Sequence, residues 1–156
     1  MHKSTSGVAL DVRARRRESS RHEHAPADDS STPPSTIWKQ LLRLTATCEA
    51  LLAFGQSALA GGFLEGRANL LALHRANAIL VWGMAMSMTI ASVALWRLAR
   101  GPRWPAGVSL ALVATILLQM VLGYRGNLLI HVPLGVIIIS ADVLLAVWAW
   151  RSAGRP

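Results

Sequence analysis

Cysteine is almost missing from this sequence: Cys48 stands alone, so no internal disulfide can form. Acidic residues are scarce, eight against sixteen Lys and Arg. Charge of either sign is nearly absent from residues 106–150, where only Arg125 and Asp142 interrupt the apolar side chains. A soluble helical domain needs a polar face on every helix, and that stretch cannot supply one. The first 36 residues have the opposite deficit. Their one apolar piece, Val8-Ala9-Leu10, is too short for the apolar region of a secretory signal, so none is expected there. No phosphate-binding loop, nucleophile triad or strongly spaced metal motif is present. Nor does a base-stacking or groove-reading motif accompany the excess of basic residues, so nucleic acid is not an expected partner.

What the chain does contain is apolar length. Hydrophobic residues make up 53% of it, and half of its charged residues fall in the first forty positions. About 20 apolar residues in a helix, rising 1.5 Å each, cross a hydrocarbon layer of roughly 30 Å. Four such spans are expected, at about residues 41–63, 73–96, 106–124 and 128–150. Residues 1–36 carry too little apolar surface to offset the entropy of ordering and read as a disordered polar and basic tail, with a second short tail at 152–156. Cys48, inside the first span, reads as a small packing residue. The fold class is therefore all-α: a four-transmembrane-helix antiparallel bundle, with the domain at 37–151.

Lys and Arg set the orientation. They crowd the tail, the turn at 97–103 and the C-terminus, and only Arg67, Arg75 and Arg125 lie on the opposite side. The positive-inside rule then places both termini in the cytoplasm, in the cell membrane, with the lipid bilayer as the first partner. Five of the six Trp (38, 96, 104, 148 and 150) fall at the same inner edges.

The bundle reads as two repeated helical hairpins. Residues 119–142 run Gln, small residues, Gly, Asn, two Leu, then His131; residues 56–74 run the same way to His74. These are the two histidines of the apolar part of the chain, each at the outer start of an even-numbered span. In a helical bundle, two facing imidazoles can clasp a flat iron macrocycle such as heme b from both sides. Gln56, Gln119 and Asn77 lie near them on polar stripes, and Gly123 and Gly135 read as relief for ring edges or for close helix packing. The plainer alternative is that each histidine is an interfacial residue, hydrogen-bonded or wet.

Glu49 and Asp142 are the second signal. Thr45, Glu49 and Gln56 share a helical face, and Asp142 is three turns beyond His131 on its face. Carboxylates inside spans face a partner or the bundle interior. Either these two share a proton or serve a proton path, which makes a small proton-linked transporter or a membrane partner subunit the alternative function, or each snorkels or pairs with Arg43, Arg97 or Arg151 at the inner interface.

The segments Leu73-His74-Arg75-Ala76-Asn77-Ala78 and LQMVLGYRGNLLIHVPLG (118–135) resemble one four-helix half of the heme A synthase family. The turn RGP-x-WP (100–105) and the motif HVPLG (131–135) are also similar to small actinobacterial four-helix membrane proteins of unknown function. The likeness covers about residues 40–150. It implies heme ligation by His74 and His131, with electron transfer or heme handling as the role and a second copy or a membrane redox partner beside it. The family's glutamate three residues before the second-helix histidine is Leu71 here, and its outer-loop cysteine pair is missing. The resemblance therefore implies heme binding without heme hydroxylation.

Overall fold

The protein is described by a computed structural model covering residues 34–152. Most of the expected polar tail, and residues 153–156, lie outside the described residues. Four helices account for nearly everything described: α1 (Pro34–Leu64), α2 (Leu70–Ala99), α3 (Trp104–Tyr124) and α4 (Leu128–Arg151). Proline at the head of α1 and at the second position of α3 suits a helix start, where a missing N–H costs no bond. Pro133 falls early in α4, where Asn127 caps the helix by accepting from the Ile130 N–H.

The helices α2, α3 and α4 are long and apolar enough to cross a membrane. Helix α1 has the length, about 46 Å at 1.5 Å per residue, but Lys39, Arg43, Glu49 and Gln56 make it more polar than the others. Arg43 and Glu49 are buried and Gln56 is partly buried, while Lys39 stays exposed. Each helix packs on two others, α1 on α2 and α4, and α3 on α2 and α4. Leu51, Leu80, Ile90, Leu118, Ile137 and Leu144 are exposed on the outside, an apolar surface that suits lipid rather than water. Cys48 is exposed too, which corrects its reading as a packing residue. It sits one position off the inward Glu49 face.

The core occupies one half of the bundle. Its fully buried residues run from Leu42 to Ala53 on α1, Val81 to Leu95 on α2, Pro105 to Ile116 on α3 and Ile138 to Ala149 on α4. No residue from 54 to 80 or from 117 to 137 is fully buried. Small side chains explain the close approach in the packed half: Ala46, Ala85, Ser92 and Ser109 are inaccessible, and Met88 and Leu145 fill what remains between the backbones. At its far end Trp104 packs edge-on against Trp148 at 4.5 Å, and Arg97 lies over Trp96 at 4.1 Å.

The two turns at the opposite end share four backbone bonds around their glycines, and the first adds Leu70 N–H to Arg67 O and Leu71 N–H to Ala68 O. In the first, Glu65 N–H donates to Gly61 O, Gly66 N–H to Phe63 O, Arg67 N–H to Gly62 O and Ala68 N–H to Gly66 O. In the second, Arg125 donates to Val121, Gly126 to Gly123, Asn127 to Leu122 and Leu128 to Gly126. Both pivot on a glycine at positive φ, 95° at Gly66 and 68° at Gly126. The third turn, between α2 and α3, instead holds Arg100 at φ 53°.

Candidate functional site

His74 projects from α2 and His131 from α4, which lie across the bundle from one another and make no backbone contact. Their rings bridge that diagonal: the centroids are 6.4 Å apart and the planes are inclined by 58°. Both side chains are half-buried, just beyond the edge of the packed core.

Each imidazole is anchored in the same way. His74 Nδ1 is 3.1 Å from the carbonyl oxygen of Gln56, and His131 Nδ1 is 3.0 Å from that of Gln119. A carbonyl only accepts, so Nδ1 carries the proton and, in a neutral ring, Nε2 keeps its lone pair. A histidine whose Nδ1–H is tied to a carbonyl, leaving Nε2 to ligate, is the arrangement usual at metal sites. Counted from the turn glycine, Gln56 and His74 lie ten residues before and eight after Gly66, whereas Gln119 and His131 lie seven before and five after Gly126. The Gln–His pair on α1 and α2 thus stands three residues further from its turn glycine on each side, close to one helical turn of 3.6.

The shells around the two anchors differ. Gln56 donates its amide N–H to His74 Nε2 at 3.2 Å, and its Oε1 accepts from Asn77 Nδ2 at 2.7 Å. Asn77 also donates to the Leu52 carbonyl at 3.0 Å. Three residues after His131 stands Leu134, where Asn77 stands three after His74. Gln119 donates to the backbone carbonyl of His131 at 2.8 Å, and its buried Oε1 has no partner. A Cβ on Gly123 would stand 3.0 Å from His131 Cε1 and 3.3 Å from Nδ1, and one on Gly135 would stand 3.0 Å from the Gln119 amide nitrogen. Gly123 therefore makes room for the ring, and Gly135 for the amide beside it.

Among the described residues no three His, Cys, Asp or Glu side chains gather to hold a metal ion. Two imidazoles alone suit an ion whose remaining ligands come from elsewhere, such as the iron of a macrocycle. A nitrogen lies about 2 Å from the metal and its ring centre roughly 1 Å further back, so rings clasping one ion have centres about 6 Å apart. The observed separation of 6.4 Å is of that size. One bond stands against immediate ligation: the Gln56 amide occupies His74 Nε2 and must swing aside.

Glu49 and Asp142 lie in the packed half on adjacent helices, both with no accessible surface and no hydrogen-bond partner. The expected alternative, pairing with Arg43, Arg97 or Arg151, is not what the structure contains. Arg43 is buried, but its Nε donates to the Ala149 carbonyl at 3.1 Å and its guanidinium lies over Trp150 at 5.3 Å. Arg97 lies over Trp96, and Arg151 forms no ion pair among the described residues. The one ion pair among the described residues, Glu65 with Arg67 at 3.0 Å, is exposed in the first turn. Sequence reasoning passed over Arg43 as a helix-to-carbonyl tie. The signal was present, an arginine among apolar residues within two turns of a glutamate.

Comparisons with known protein families, curated proteins and solved structures give no match. The resemblance to the heme A synthase family therefore stands on the motifs around His74 and His131 alone.

Proposed function

We propose that this protein binds a b-type heme in the membrane between His74 and His131, for electron transfer or heme handling. The observation that carries the reading is the pair of imidazoles 6.4 Å apart, each with Nδ1 committed to a glutamine carbonyl. Heme, when bound, supplies one-electron chemistry at its iron. The chain's own residues fix the tautomer, hold the rings across the bundle and, through Gly123, leave space for His131. Gln56 and Asn77 form a latch on His74 that opens for ligation. Leu71 stands where a family glutamate is expected, so the reading stops at binding and does not extend to oxidation of the heme.

The same proposal includes the topology. Helix α1 is the fourth span, its polar face turned to the other helices, and the chain is two antiparallel hairpins related as repeats. The matching turn bonds at Gly66 and Gly126 and the matching Gln–His anchors support that relation. Lys and Arg at the Trp-rich end put both termini in the cytoplasm and the histidines towards the outer face of the plasma membrane. A membrane redox partner or a second copy then meets the site from the outer side.

The test is the visible spectrum of detergent-purified full-length protein, alone and titrated with hemin. The expected result is a Soret band of a low-spin, doubly ligated heme, lost in His74→Ala and in His131→Ala. Unchanged hemin spectra in the native protein, or equal binding in both variants, would remove the proposal.

A further inference from the structure

The last fully buried residue before the less buried half is Ala53 on α1, Val81 on α2, Ile116 on α3 and Ile138 on α4. All four are apolar; Val81, Ile116 and Ile138 belong to the packed core cluster and bound it on the histidine side, and Ala53 is buried on α1. Glu49 lies four residues inside Ala53 and Asp142 four residues inside Ile138, so each carboxyl group is one helical turn beneath that boundary. The contact between Arg43 and the Ala149 carbonyl sets the register of α1 on α4. From it, six residues along α1 and seven back along α4 bring Glu49 and Asp142 to one level, about 10 Å away. On the other side Leu42, Ala46, Leu145 and Ala149 close the space again.

Nothing in this compartment neutralises two negative charges. All four carboxyl oxygens are buried and unpartnered. Of the groups on α1 and α4 that face the pair, the one cation is Arg43, held by Ala149 O and Trp150. Helices α2 and α3 bring no titratable side chain along residues 81–95 and 105–116. The buried hydroxyls are already used: Ser92 donates to Met88 O and Ser109 to Ala106 O. Two bare carboxylates in so apolar a space repel each other and lose their hydration without return. Something positive must accompany them. A hard metal cation asks for six or more oxygen ligands, or carries waters to make up the number. Two carboxyl groups closed in by alanine, valine, leucine and isoleucine do not provide that. A proton needs one oxygen.

We propose that Glu49 and Asp142 form an occluded proton-binding site, loaded at neutral pH and independent of the histidine site. One proton at least resides on the pair, and it exchanges when the apolar core edge of Val81, Ile116 and Ile138 parts towards the less buried half.

Infrared absorption of the full-length protein in phosphatidylcholine vesicles at neutral pH tests this. The expected result is a protonated-carboxyl C=O band that shifts in deuterium oxide and is absent from the Glu49→Gln/Asp142→Asn double variant. Absence of the band from the native protein overturns the proposal outright. So does its survival in the double variant, which would assign the proton to another acid, or its loss on adding sodium ion at constant pH, which would make the site a metal-cation site. If circular dichroism shows that the double variant has not assembled, Asp142→Asn alone decides: the band must move or vanish, and an unaltered band counts against the site.

Discussion

At the scale of single residues, function hangs on which atom of each histidine is occupied. Tying Nδ1 to a carbonyl decides the tautomer without any acidic partner, so the site needs no net charge of its own. It also makes the anchor indifferent to glutamine side chains, since the acceptors belong to the backbone. The sensitive neighbour of His131 is Gly123. In Gly123→Ala a methyl group meets the ring edge at 3.0 Å and must displace it. Hemin affinity is expected to fall about 10- to 100-fold, the range seen when ligand orientation is lost at metal sites. Gly61→Ala, with nothing within 4 Å of the new carbon, should leave the titration unchanged. Asn77→Leu copies Leu134, the residue three positions after His131. It removes two interhelical hydrogen bonds, each worth about 0.6 kcal/mol in membrane bundles, so detergent unfolding should show a loss of about 1 kcal/mol.

At the scale of the helical element, the turns show where backbone conformation is demanding. Gly66 and Gly126 occupy left-handed φ values that an L side chain adopts at a cost of about 1–2 kcal/mol. Alanine at either position should destabilise the protein by about that much. Arg100 already bears such a cost at φ 53°. Arg100→Gly should therefore act in the opposite direction and stabilise by up to about 1 kcal/mol, measured by the same unfolding assay. The sign difference is the informative part, because loss of an interfacial arginine predicts no gain. The helices end at 64, 99, 124 and 151, where the spans read from apolar length end at 63, 96, 124 and 150. Helix α1 starts at Pro34, earlier than the expected span, because a helix can run on in polar sequence where an apolar span cannot.

For the whole molecule, the question is how a chain with one rather polar helix is seated in lipid. A helix carrying Arg43, Glu49 and Gln56 is tolerable there only with those groups turned inward, and the structure turns Arg43 and Glu49 fully in. The proposed seating is checked by cysteine labelling on a Cys48→Ser background. Cysteines at Glu65 and Arg125 should react with a membrane-impermeant maleimide added outside cells, and one at Arg103 only after the membrane is opened. Reaction of all three from outside would leave the bundle without the proposed orientation.

The apolar stretches, their interruptions by Gly and Arg, and the scarcity of charge between them determined that the chain is helical and suited to lipid, because hydration of backbone and side chain decides that locally. The matched order of Gln, Gly, Asn and His marked the two histidines from sequence alone. Only the tertiary structure decided that their rings meet across the diagonal, that backbone carbonyls take their Nδ1 protons, and that Arg43 leaves Glu49 and Asp142 alone. Those outcomes depend on how four helices are rotated and staggered against one another. Side-chain volumes at alanine, serine and glycine contacts set that stagger, and no single stretch of the chain encodes it.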